Sequence, residues 1–261
     1  MEMLNPHCGI VRDGRSVVRL AVCNAGSLNI LSSAVTDGVR EGFEKLATDR
    51  SVRAVILTGE SEKSMIGGAD IREMARLDQK SAEAFITRLR DLCEAIRRFP
   101  APVIARLPGW CLGGGLEVAA ACDFRVAAHD AMLGMPEVRV GVPSVIQAAL
   151  LPPMIGPGRA AEMLLTSAPV SAATALEWGL VNRVVPDDQV RAAAEEMATS
   201  ILQAGPDAIR LQKELIVRWR ESDLASAVRY GINAFATAYA TGEPREGMTA
   251  YLEKRRPNFR A

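Results

Sequence analysis

Hydrophobic positions change period repeatedly along this chain, and the changes predict its architecture. Within residues 81–99 the apolar side chains Phe85, Ile86, Leu89, Leu92, Cys93, Ile96 and Phe99 recur at helical spacing, and Pro100 follows. That pattern predicts an amphipathic helix that buries one stripe and ends before the proline. Residues 34–47 carry a second helical pattern, whereas residues 52–58, 102–107 and 124–128 are short runs rich in β-forming side chains. Residues 10–22 read as two strands folded about Asp13-Gly14, a dipeptide that tolerates positive φ, so a hairpin is expected to open the fold. Strands alternating with helices predict an α/β class.

The last quarter differs. After a final short strand over residues 181–186, helical patterning covers residues 187–203, 206–220, 223–241 and 245–256, punctuated by Gly205-Pro206 and Gly242. An α/β core over residues 1–200 and a helical region over residues 201–261 are the expected organisation. No fixed-period repeat and no low-complexity segment interrupts it.

Composition narrows the function classes. With 261 residues, 49% hydrophobic and 24% charged, the chain can bury a core as one large domain or a domain with an appendage. Thirty-one basic and 31 acidic residues cancel, so no global field attracts nucleic acid or an anionic membrane. Cys8, Cys23, Cys93, Cys111 and Cys122 are odd in number, widely spaced and without a CxxC pair, as expected of reduced thiols in the cytoplasm. Residues 1–22 contain Glu2, Arg12, Asp13 and Arg15 where a signal peptide would be apolar, and no stretch approaches ~20 uninterrupted apolar residues. A soluble, non-secreted protein is expected.

Candidate chemistry gathers at glycine-bearing turns. Gly113-Gly114-Gly115 lies between a strand-like run and the helix-forming residues 116–121. Unpaired N–H groups at such a helix start stabilise an oxygen that gains negative charge, although a glycine turn also serves simple close packing. Glu117 follows in the first helical turn, where a carboxylate is either functional or only a dipole partner on a solvated face. Glu137, in Met135-Pro136-Glu137, is likewise either functional or a surface loop residue. Other constellations are poorer. The two histidines, His7 and His129 beside Asp130, lack metal-ligand spacing. Cys111 reads as a small packed residue, and Trp110, Trp178 and Trp219 as packing residues rather than a stacking platform.

In chain order, Gly67-Gly68-Ala69-Asp70-Ile71-Arg72-Glu73-Met74, Leu112-Gly113-Gly114-Gly115-Leu116-Glu117 and Gly134-Met135-Pro136-Glu137 together resemble the crotonase (enoyl-CoA hydratase/isomerase) family. Supporting stretches are Ser27-Leu28-Asn29, Val55-Ile56-Leu57-Thr58-Gly59, Pro102-Val103-Ile104-Ala105, Cys122-Asp123, Gly179-Leu180-Val181 and Arg245-Glu246-Gly247-Met248, the last leading to Glu253-Lys254-Arg255. The resemblance implies a spiral of ββα units over residues 1–200 that holds a thioester site, and a helical trimerisation region over residues 201–261. Trimers of that family often pair into hexamers. It implies an acyl-CoA thioester as substrate, coenzyme A as part of that substrate rather than a cofactor, no metal, and neither nucleic acid nor membrane as partner.

Residue by residue, the resemblance gives Ala69 and Gly114 the backbone N–H groups of an oxyanion hole. It places Ser27, Leu28, Gly68, Asp70, Ile71 and Arg72 against coenzyme A or the acyl thioester, and Tyr251 and Lys254 toward the nucleotide end. Glu117 and Glu137 match the two carboxylates of the hydratases. Glu137 is expected to take a proton from water, and Glu117 to hold that water and deliver a proton to Cα. Two departures stand out. Residues 141–147 replace a Pro-Gly-x-Gly-Gly-Thr stretch, so Val145 and Ile146 are expected to narrow the acyl pocket or reorganise the helix start beside it. Gly26 stands where a lysine is common, leaving Arg72 and Lys254-Arg255-Arg256 to meet the phosphates. An isomerase or acyl-CoA thioester hydrolase on the same fold would use the same hole, and a non-catalytic oligomeric or RNA-binding member would not need the glutamates.

Overall fold

The computed structural model describes residues 1–259. Ten strands form two sheets: β1 (Glu2–Asn5), β2 (Cys8–Arg12), β3 (Val17–Val22), β4 (Ala54–Gly59), β5 (Val103–Leu107), β6 (Trp110–Leu112), β7 (Phe124–Ala128), β8 (Met132–Gly134), β9 (Val170–Ser171) and β10 (Arg183–Val185). The larger sheet has the order β1-β2-β3-β4-β5-β7-β10, and the smaller β6-β8-β9. In the larger sheet β1–β2 and β2–β3 are antiparallel, and the remaining pairs are parallel. Parallel neighbours need long crossovers. Helix α1 (Ser33–Ala47) links β3 to β4, and the short α2 (Ile71–Met74) with the long α3 (Gln79–Arg97) links β4 to β5. Every residue of β5 is buried, as expected of a strand covered on both faces, and its one charged member, Arg106, donates to Thr58 Oγ1 and to the Glu62 carboxylate.

The expected α/β class is found, with local differences. The opening hairpin is preceded by β1, which pairs with β2. Helix α3 begins at Gln79 rather than 81, because Asp78 caps it and forms a reciprocal capping box with Ser81. Its stripe packs on α1, and just past its end Phe99 meets Phe43 of α1 edge to face at 5.6 Å. Strands β6, β8 and β9, of three, three and two residues, are too short for any period to announce them. Beyond β6 come α4 (Gly114–Ala121), then α5 (Leu151–Ile155), α6 (Pro157–Thr166) and α7 (Ala172–Glu177).

The helical end divides in two. Helix α8 (Val190–Ile201) buries Val190, Ala193, Ala194 and Ala198 and belongs to the core. Helices α9 (Pro206–Arg220), α10 (Leu224–Ala238) and α11 (Glu243–Leu252) bury few residues, and α10 leaves Leu224, Ile232 and Phe235 more than half exposed. One buried cation ties α9 to the sheet. Lys213 Nζ lies 2.7 Å from Asp123 Oδ2 and donates to the carbonyls of Ile96 (3.3 Å) and Ala101 (2.9 Å), while the same carboxylate oxygen accepts from Val103 N–H at 2.7 Å. Among the described residues no helix is long and apolar enough to cross a membrane.

Candidate active site

The small sheet brings the two glutamates together. Strands β6 and β8 run parallel with Leu112 opposite Gly134, and Gly113 N–H donates to Gly134 O at 2.9 Å. Both strands therefore end at one level. The turn after β6 starts α4, which carries Glu117, and the turn after β8 enters a 3₁₀ turn (Glu137–Val140). Gly113 has φ +53°, a conformation that favours glycine, and a Cβ on it would meet Glu137 Oε1 and push that carboxyl aside.

A third turn meets this pair. Leu31 N–H donates to Gly68 O and Asp70 N–H to Leu31 O, each at 2.9 Å. These two bonds flank Ala69 in a parallel bridge, so its own N–H faces the other way. Gly114 is the first residue of α4, where an N–H has no intrahelical acceptor. Neither N–H donates to a backbone carbonyl among the described residues. A Cβ on Gly114 would lie 4.0 Å from Ala69 N, so the two donors adjoin.

Glu117 is 3% exposed, which removes the alternative of a solvated helix face. Its Oε1 accepts from Ala148 N–H at 3.0 Å. Burial pushes its pKa up to about 8; the neighbouring charge of Glu137 adds to the rise and the Ala148 N–H opposes it. Burial also raises Glu137, against a hydrogen bond from Ser144 Oγ to Glu137 Oε2 of 2.8 Å. Motif reading missed Ser144 and Ala148. The one available signal was that Ser144 is the sole polar side chain within residues 140–146.

Ala69, Ile71, Gly114, Glu117 and Glu137 all line one cavity of about 600 Å³. Met74, Leu77, Phe85 and Leu89 contribute to one wall, and Val140, Val142, Pro143 and Val145 to the other. Asp70 caps α2, accepting from the N–H groups of Arg72 (2.8 Å) and Glu73 (3.3 Å). Leu28 O accepts from Gly67 N–H at 2.7 Å and so fixes the glycine turn. Ser27, Leu28, Gly68, Asp70 and Arg72 are at or beside this turn without lining the cavity, and exposed Tyr251 and Lys254, at the end of α11, do not line it either. Of the two residues expected to narrow the pocket, Val145 reaches it. Ile146, at φ +27°, turns its side chain to the core instead. Among the described residues no His, Cys, Asp and Glu group is arranged to hold a metal, and Cys111 is fully buried with its thiol pushed up by that burial.

Known proteins resemble this chain over nearly its whole length. The family model for enoyl-CoA hydratase/isomerase matches residues 13–261. A crotonyl-CoA hydratase of Syntrophomonas wolfei is 36% identical over 234 residues, covering 89% of this chain and 90% of the relative. A short-chain-enoyl-CoA hydratase of Clostridium acetobutylicum is 34% identical, covering 88% of each. Among solved structures, an enoyl-CoA hydratase of Mycobacterium smegmatis superposes with a TM-score of 0.93 at 36% identity, covering 98% of this chain and 99% of that one.

Proposed function

The chain belongs to the enoyl-CoA hydratase/isomerase family, and from that premise we propose that it adds water across the double bond of a 2-enoyl-CoA to give a 3-hydroxyacyl-CoA. The observation that carries this reading is the convergence of Glu117, Glu137, Ala69 and Gly114 on one cavity.

The thioester oxygen accepts hydrogen bonds from Ala69 N–H and Gly114 N–H, at the positive end of α4. Charge that develops on that oxygen during attack at Cβ meets donors already in place, which is commonly the largest single contribution to such catalysis. Water sits between the carboxyls. Its oxygen bonds to Cβ while Glu137 takes one of its protons; the double-bond electrons move toward the thioester, and a proton from Glu117 forms the Cα–H bond. Glu117, with a pKa of about 8, holds that proton at neutral pH. Ser144 donates to Glu137 and favours its charged form, which suits a base. A proton then returns from Glu137 to Glu117 and resets the pair. Acid–base assistance of this kind contributes roughly 10²–10⁴-fold.

No cofactor enters this chemistry, since coenzyme A is part of the substrate. The exposed apolar face of α10 suits self-association as a trimer or hexamer, which a mass measurement decides. A cytoplasmic setting suits five buried, unpaired cysteines. The test is loss of the conjugated thioester absorbance of short 2-enoyl-CoAs, with saturated acyl-CoAs assayed in parallel for hydrolysis. Hydration that survives unchanged in both Glu117→Gln and Glu137→Gln overturns the mechanism, and thioester hydrolysis without hydration moves the assignment to a hydrolase.

A further inference from the structure

The cavity beside the glutamates has a direction. A Cβ on Gly114 would lie 2.9 Å from Leu89 Cδ2, so Leu89 marks the end where the thioester carbonyl binds. From Leu89 one face of α3 runs back through Phe85, Ile86 and Ala82 to Gln79, and all of these line the cavity. Positions three and four apart share a helix face, and ten residues at 1.5 Å each carry that face about 15 Å from the carbonyl site. This is well beyond the reach of a four-carbon acyl group. The facing wall, Val140 to Val145, offers aliphatic surface.

Charge along the cavity is one-sided. No lysine, arginine or histidine lines it among the described residues. Apart from the Glu117–Glu137 pair, its charged lining residues are both acidic, Asp78 at the far end of the α3 face and Glu83 part-way along it. The N-terminus of α3, which would otherwise attract an anion, is already capped by the Asp78 carboxylate. An acyl tail that ends in a carboxylate would lose hydration against aliphatic walls and find acids instead of a counter-ion.

Building on the hydratase reading, we propose that this site selects an uncharged aliphatic acyl tail longer than that of crotonyl-CoA, laid along α3 from Leu89 toward Gln79. The tail stays in contact with apolar wall as it lengthens, so each added methylene removes further area from water.

The test is kcat/KM for hydration of 2-enoyl-CoAs with four, six, eight and ten carbons, together with glutaconyl-CoA as the carboxylate-ended comparison. The expected result is a rise of roughly fourfold per methylene up to at least eight carbons, with glutaconyl-CoA about a hundredfold or more below the six-carbon substrate. A flat or falling series beyond four carbons, with crotonyl-CoA turned over normally, overturns the tail assignment and leaves the hydratase reading standing. Absence of hydration for the whole series overturns the hydratase reading. Calorimetric dissociation constants for butyryl-, octanoyl- and glutaryl-CoA then judge the tail by itself. Tighter binding of octanoyl-CoA than of both others supports it, and equal or weaker binding overturns it.

Discussion

Replacing Glu117 with glutamine is expected to stabilise the protein, increasingly so as pH rises. Folding moves this carboxyl from its ordinary value of 4.5 to about 8, chiefly by burial. Between those two values the folded chain holds a proton that the unfolded chain has released, so each pH unit removes about 1.4 kcal/mol of stability. The sign is opposite to that of a salt-bridged carboxylate. The penalty is absent below pH 4.5, grows through neutrality and is complete above pH 8. For an isolated group the total would approach roughly 5 kcal/mol; because Glu137 shares the site and relaxes when its neighbour is neutral, about 3–5 kcal/mol is expected.

Glutamine keeps the side-chain oxygen that accepts from Ala148 N–H and adds no charge, so Glu117→Gln removes the titration with little change in packing. Urea unfolding of wild type and variant, followed by the fluorescence of the three tryptophans at fixed protein concentration, measures the difference at pH 5, 7 and 8.5. The variant's advantage should be small at pH 5 and largest at pH 8.5, while its hydration rate falls by roughly 10²–10⁴. Parallel stability curves for the two proteins across this range would refute the reasoning, since a carboxyl that titrates normally contributes no pH-dependent difference.

Wild-type kcat/KM is expected to fall above about pH 8, as Glu117 loses the proton it delivers to Cα. Ser144→Ala should move the acidic limb of the same profile upward, because the lost hydroxyl favoured the charged form of Glu137; at about 1 kcal/mol the loss reaches roughly fivefold on the acidic side of that limb, and Ser144→Thr should restore it. Gly113→Ala is expected to cost about 1–3 kcal/mol in stability from the positive φ alone. It should also lower kcat sharply by displacing Glu137, seen in thermal unfolding and steady-state rates. Lys213→Met strands the Asp123 carboxylate and should destabilise by about 3–5 kcal/mol in urea unfolding, with Asp123→Asn in the same chain recovering part of the loss.

What the sequence made legible follows from how each feature is encoded. The stripe of α3 and the buried run of β5 are repeated over enough residues to fix type and face, and both appear where periodicity places them. Strands β6 and β8 are not encoded that way. They span three residues each, and their significance lies in the pairing of Leu112 with Gly134, a contact between segments more than twenty residues apart. That pairing turns two separate carboxylates, each as well explained by a helix start or a loop, into neighbours. The motif identifies residue types, but the acidity of Glu117 depends on a wholly buried α4, and that burial is set by groups distant in sequence such as the Leu89 side chain and the Ile66 carbonyl, which crowd its glycines. The same distinction explains residues 145 and 146. Two bulky residues in place of glycines read as two obstructions, yet the positive φ of Ile146 sends one into the core. Pocket shape is therefore decided by a backbone angle that residue identity alone does not reveal, and it is Val145 and the α3 face, not Ile146, that line the cavity.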